Sequence, residues 1–310
     1  VSSFQGSREP WSEDRSVDLA TSHHAGADLP AISRRASAAK RPTDQLPSLG
    51  QALLFFLMMV PLLAGGQYIA LFAAQRMHLF GHHPMTAYLE LAASDARLGL
   101  PAQALAYLLV AVCGAWLFSF VWQRPALEGL HWRSSIAARR AGWLVGLGLA
   151  GGLGSSLIGN FLPMPKDPPI LVDMMHSPSG AWMMLIFGIT FAPALEETAF
   201  RGFLLPGFVH AFDWLVRKGD ISVTTRRLVG IPISIVLTSL PFALMHAPQV
   251  SHAWGPLLLI GLISVMLCIV RLSLDSLAAS MLVHAAYNLT LFAGILVETG
   301  GFRHLEKLSG

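Results

Sequence analysis

The chain has 310 residues, 54% of them hydrophobic and 13% charged, with a formal net charge of +3. Ordinary soluble domains carry roughly a quarter charged residues, so the composition excludes a conventional soluble protein and points to the membrane. The positive balance is explained by basic loops and does not argue for nucleic acid. The sequence also holds no G-x-x-x-x-G-K or G-x-G-x-x-G phosphate loop.

Residues 1–45 are rich in Ser, Ala, Arg and Asp and lack apolar periodicity, so they are expected to form a disordered cytoplasmic tail. The chain begins with Val rather than Met, so an unusual start or a trimmed product is the expectation. No apolar core of signal-peptide length precedes the first long apolar run, which is expected to act as an uncleaved anchor. Residues 46–173 are expected to hold the first three transmembrane helices, 174–298 the remaining spans as a second unit, and 299–310 a short C-terminal tail.

A helix needs about 20 apolar residues to cross the hydrocarbon core. Charge-free runs occur at Gln45–Gln75, Leu98–Gln123, Ala141–Pro165, Met174–Leu195, Leu228–Val270 and Ser276–Val297. The fifth is long enough for two spans, turning at His246–Pro256, so seven crossings are expected. The fourth resumes apolar character after Arg201 and is too long for one straight crossing. Pro193 and Pro206 are the candidate places for a bend or break, and a break would add an eighth embedded piece. The expected fold is therefore an all-α polytopic membrane bundle of seven helices, eight if that break occurs.

Lys and Arg near the span ends set the orientation. Thirteen lie on one side, including Arg34, Arg35, Arg139, Arg140, Arg217, Lys218 and Arg271, against five on the other: Arg76, Arg97, Lys166, Arg303 and Lys307. A multi-pass cell-membrane protein with a cytoplasmic N-terminus and an external C-terminus is expected.

Cys113 and Cys268 fall inside spans without metal-type spacing and read as small buried apolar residues. His176, His210 and His252 read as interfacial or loop side chains, and Trp143, Trp182 and Trp254 as interfacial anchors.

The stretch EETAFRG, Glu196–Gly202, places three charges directly after an apolar run. An unpaired charge at a span centre costs roughly 2.5–3.5 kcal/mol on insertion scales. Glu197 and Arg201 are four apart, with the acid N-terminal to the base, the favourable order for a helical ion pair. Glu196 is turned away from that pair. One reading is a solvated helix end. Against it stand PFALMH, with Phe242 and His246 four apart, and LVHAAYN, with His284 and Asn288 four apart, each pair on one helical face.

Together these groups suit the attack of water on an amide. A carboxylate aided by a histidine acts as general base on water, while a second imidazole and an asparagine amide donate to the oxyanion. Apolar spans around them exclude bulk water.

The ordered combination of EE-x-x-x-R, F-x-x-x-H and H-x-x-x-N, each at a span, resembles the CPBP family. Its members are intramembrane proteases that include the CAAX prenyl endopeptidase and bacteriocin-processing or immunity (Abi-type) proteins. The resemblance covers roughly Ser179–Val297, and the loop LEGLHWR (Leu127–Arg133) adds a weaker likeness. It implies an intramembrane endopeptidase acting on a membrane-associated protein or peptide within the lipid bilayer. By position it implies Glu196 and His246 as the groups that activate water, His284 and Asn288 as oxyanion donors, and Glu197 with Arg201 as the supporting pair. It implies no cofactor, the family being best described as glutamic-type. A zinc-dependent version would use Glu196, His246 and His284 as ligands. The alternative implied by non-proteolytic relatives is a membrane scaffold, immunity or regulatory protein of the same fold.

Overall fold

The computed structural model describes residues 46–164 and 174–309, the side chains of 308 and 309 excepted. The expected tail, residues 1–45, and Lys166 lie outside the described residues. All described residues belong to one compact unit.

Among them are seven helices long and apolar enough to cross a membrane, and no strand. They are Leu49–Arg76, Ala96–Trp122, Ala141–Gly159, Pro178–Lys218, Val223–Leu244, Trp254–Leu274 and Leu277–Glu298, called the first to seventh spans. Large apolar side chains such as Leu57, Trp116, Phe120 and Val236 face outward. An exposed apolar surface of that extent is covered by lipid, and the chain is a multi-pass membrane protein.

Local chemistry sets where the spans start. The first opens with a capping box: Ser48 Oγ accepts from the Gln51 N–H, and the Gln51 side chain accepts from the Ser48 N–H. The second starts after Asp95, which accepts from the Arg97 N–H at 2.8 Å. Between them a short helix, Met85–Ser94, packs its buried Tyr88 against the loop. Only Asp275 and Ser276 separate the sixth and seventh spans, and Asp275 turns the chain at a φ of +46°.

The third and seventh spans form the most extensive pairing, followed by the first with the second and the fifth with the sixth. Glycines permit the first of these. A Cβ on Gly152 would fall 2.5 Å from Thr290 Cβ, and one on Gly148 would strike the Val283 carbonyl. Close backbone approach at small residues is how spans associate without a hydrophobic driving force between them.

The fourth span carries the main irregularity. It is α-helical over Pro178–Ile189 and Phe191–Glu197, π-helical over Thr198–Leu204, and α-helical again over Leu205–Lys218. Pro193 has no N–H for the Ile189 carbonyl and its ring crowds that turn. The chain accordingly leaves helical geometry at Thr190, with φ −124° and ψ −75°. Both prolines thus mark changes of path, within one continuous span that is broken at Thr190 and wound differently before Pro206.

This long span also corrects a depth count made from the sequence, which sets Glu196 and His284 in the cytoplasmic half and His246 nearer the outer face. Leu277, at the start of the seventh span, lies against Gly202, not near Lys218. The hairpin of the fourth and fifth spans therefore projects well past the start of the seventh. Within it, Gly230 lies against Phe212. Sixteen residues back from Phe212 and sixteen forward from Gly230 lead to Glu196 and His246. Those two side chains stand at one level, with His246 Nε2 3.9 Å from Glu196 Oε2.

Candidate active site

Four spans deliver the side chains. Glu196 and Glu197 end the helix that follows the Thr190 break, and Arg201 lies in the π segment. His246 sits just past the fifth span, Ser264 is in the sixth, and His284 and Asn288 are in the seventh.

The two glutamates sit in different surroundings. Glu197 and Arg201 are fully buried. Arg201 Nη1 donates to Glu197 Oε1 at 2.9 Å, and its Nη2 donates to the Ser264 hydroxyl and carbonyl at 2.7 and 3.0 Å. Its guanidinium also stacks 4.3 Å from the Phe242 ring centroid. A buried ion pair holds only when further hydrogen bonds and close geometry offset desolvation, and Ser264 and Phe242 supply both. The Glu196 side chain keeps 12% of its surface exposed against 1% for Glu197. That difference leaves Glu196 as the carboxylate able to meet water.

Both motif histidines point Nε2 at the same Glu196 oxygen. Oε2 lies 3.7 Å from His284 Nε2 and 3.9 Å from His246 Nε2. Neither is a direct hydrogen bond. The opposite ring nitrogens are held. His284 Nδ1 is 2.9 Å from Glu197 Oε1, a carboxylate oxygen that accepts, so Nδ1 carries the proton. His246 Nδ1 likewise donates to the Phe242 carbonyl at 2.8 Å. That carbonyl is free because the helix tightens at its end: the His246 N–H goes to Ala243 instead.

Phe242, the aromatic residue of F-x-x-x-H, has a visible job. It packs edge-on to Phe200 with centroids 5.1 Å apart and lies 5.0 and 5.9 Å from the His246 and His284 rings. It is the shared wall that spaces the two imidazoles.

Asn288 lies one turn beyond His284, and its amide donates to the Gly188 carbonyl at 2.7 Å, at the break in the fourth span. One amide N–H is thereby committed to the backbone and one remains.

The histidine and carboxylate types suit zinc, but their spacing does not. Tetrahedral zinc with bonds near 2.0–2.1 Å sets its ligand atoms about 3.4 Å apart, whereas the Glu196 oxygen is 3.7 and 3.9 Å from the two nitrogens. Among the described residues no group of three His, Cys, Asp or Glu side chains is arranged to hold an ion.

Two cavities flank the site. One, of about 320 Å³, is lined by Phe191, Ala194, Leu195 and Thr198 of the fourth span. The other, of about 330 Å³, is lined by Tyr287 and Leu291 beside His284 and Asn288, and by Ser155, Ser156 and Asn160. It shares a face with the imidazole and carries hydrogen-bonding groups.

Remaining sequence candidates fall outside this cluster. His210 Nδ1 lies 3.0 Å from the Pro47 carbonyl. Trp143 and Trp254 stand exposed at helix starts, and Trp182 packs against Phe302 of the C-terminal segment. Ser264 and Arg271 have structural roles the sequence reading did not give them. Arg271, a lone cation in an apolar run, served there only as an orientation marker.

Searches of curated proteins and of solved structures gave no match. Residues 178–290 match the family model described as "Type II CAAX prenyl endopeptidase Rce1-like", and all seven motif residues fall inside that range. The family is one of peptidases, whose substrates are proteins. Residues 178–290 form a domain of the Rce1-like type II CAAX prenyl endopeptidase family.

Proposed function

We propose that this protein is an intramembrane endopeptidase that hydrolyses a peptide bond of a membrane-associated protein or peptide with water activated at Glu196. The observation that carries this reading is the convergence of two Nε2 atoms on one partly exposed carboxylate oxygen, Glu196 Oε2. The neighbouring carboxylate, Glu197, is buried, and its Oε1 is held by Arg201 and His284.

In this mechanism a water is held between Glu196 Oε2 and the His246 Nε2 lone pair. Glu196 takes its proton as the oxygen attacks the scissile carbonyl carbon. His284, oriented by the Nδ1 contact with Glu197, donates in its doubly protonated form from Nε2 to the developing oxyanion, together with the remaining Asn288 N–H. Collapse of the tetrahedral species breaks the C–N bond, and the proton held by Glu196 passes to the leaving amine. Ser155, Ser156, Asn160 and Tyr287 give the cavity on the imidazole side groups suited to water or a peptide backbone. The distribution of basic residues between the loops supports a cytoplasmic N-terminus.

Terminal proteomics of membranes carrying the wild-type or Glu196→Ala protein tests the reading. A cleavage site present only with the wild type supports it. Identical terminal profiles from equal amounts of folded protein contradict it.

A further inference from the structure

Wound as a π-helix, the segment from Thr198 to Leu204 raises an accounting question, since each buried carbonyl needs a donor. The Leu205 N–H bonds to the Phe200 carbonyl, five residues back. In that register the next donor, for the Arg201 carbonyl, is residue 206, and residue 206 is proline, which has no N–H. A side chain from another span fills the position: Arg271 Nε donates to the Arg201 carbonyl at 3.2 Å.

Arg271 is itself held from three sides. It is buried, its Nη1 donates to Asp275 Oδ1 at 3.0 Å, and its Nη2 donates to the Leu130 carbonyl at 3.4 Å. Asp275 also takes His131 Nδ1 and Arg133 Nη2, both at 2.8 Å. Burial pushes the Asp275 carboxyl up, but the His131 hydrogen bond and the Arg271 guanidinium outweigh it and hold the group well below the usual carboxylate range. The loop is fixed to the seventh span by the Leu277 N–H on the His131 carbonyl and the Ser276 hydroxyl on the Arg133 carbonyl.

We propose that Arg271 is a positioning residue for the catalytic carboxylates. Its Nε replaces the backbone donor that Pro206 withholds from the Arg201 carbonyl, and Asp275 with the His131 loop fixes the guanidinium that does so. The segment between Glu196 and Arg201 is then pinned at both ends: by Asn288 on Gly188 before it, and by Arg271 on Arg201 after it. Arg271 touches neither Glu196 nor the imidazoles and acts through the path of the backbone. This inference rests on the proteolytic reading for its kinetic readout and on geometry alone for its coupling readout.

The test is a cycle of Arg271→Met and Pro206→Ala in purified protein, with a fluorogenic peptide spanning the cleavage site found by terminal proteomics. Alanine at 206 restores an N–H for the Arg201 carbonyl. Arg271→Met alone should lower kcat by roughly 10- to 100-fold, the scale of a misplaced catalytic group, with KM little changed. On the Pro206→Ala background the same change should cost only a small part of that. Arg271→Lys keeps the charge beside Asp275 but lacks the planar Nε donor, and should lose kcat while remaining folded. Equal losses on both backgrounds, or full activity of a folded Arg271→Lys protein, overturns the proposal. The same cycle read by thermal unfolding in detergent needs no cleavage: non-additive midpoints support the backbone link and additive ones remove it. Absence of cleavage by the wild type itself would sink the proteolytic reading and leave this coupling intact to be measured.

Discussion

Glu197 Oε1 accepts from both Arg201 Nη1 and His284 Nδ1 at 2.9 Å, so one buried oxygen ties the fourth span to the seventh. Glu197 is thereby a structural anion whose charge orients an imidazole, while the adjacent Glu196 meets no hydrogen-bonding side chain at close range and stays available to solvent. Two consecutive glutamates acquire opposite tasks because a helix turns them about 100° apart.

Breaking that anchor by removing one partner leaves an uncompensated buried charge, which typically costs about 3–5 kcal/mol. Arg201→Met and Glu197→Gln should each lower the unfolding midpoint in detergent strongly, and the double substitution should recover part of the loss. Midpoints close to wild type in both single variants would show that the pair contributes little.

Packing of the third span on the seventh gives a positional prediction. Gly152→Leu places atoms where Thr290 already sits, and overpacking of this kind costs about 1–3 kcal/mol. At Gly154, two residues on, an added Cβ meets nothing within 4 Å, and Gly154→Leu should leave stability unchanged. Thermal unfolding of the two variants side by side checks the assigned face.

The break at Thr190 is expected to aim Glu196. With Pro193→Ala an N–H becomes available to the Ile189 carbonyl, the helix straightens, and the carboxylate swings away from the imidazoles. Cleavage should fall by roughly 10- to 100-fold, as for a misplaced group, without loss of thermal stability. Unchanged kcat would show that the bend is not needed for the site.

Chelation separates the water-activation reading from a zinc enzyme. Prolonged dialysis against a strong chelator should leave cleavage at its starting rate, because the proposed steps need only protein groups. Loss of activity restored by added zinc would reassign Glu196, His246 and His284 as ligands.

For orientation, single cysteines at His82 and Ser222, in a background with Cys113 and Cys268 replaced, report the two sides. On intact cells an impermeant maleimide should label His82→Cys and spare Ser222→Cys. The reverse pattern would invert the orientation drawn from the basic loops.

Much of this architecture is legible in the one-dimensional pattern. Charge-free runs locate every span, because lipid tolerates few charges, and four-residue spacings pick out Glu197 with Arg201 and His284 with Asn288. Edges are less legible. The reading opens the first span at Gln45, whereas the Ser48 cap starts the helix at Leu49, and it opens the fifth at Leu228, whereas the helix begins at Val223. There Arg226 is accommodated by Asp213 at 2.7 Å across the hairpin. Depth failed for a related reason: the fourth and fifth spans project past their neighbours, and only the contact of Leu277 with Gly202 reveals it. The donors that complete the carbonyls of Gly188 and Arg201 sit about 100 and 70 residues away in sequence, beyond the reach of any local pattern. A proline within a catalytic helix is nevertheless a signal that such a donor must exist.

The central claim is that Glu196 activates the attacking water, and cleavage by the purified Glu196→Gln protein tests it most directly. Glutamine keeps the size of the side chain and removes its basicity. The account predicts a loss of roughly 10²- to 10⁴-fold in kcat, the range of general-base contributions, with the unfolding midpoint of the wild type retained. A folded Glu196→Gln protein that cleaves at the wild-type rate would contradict it.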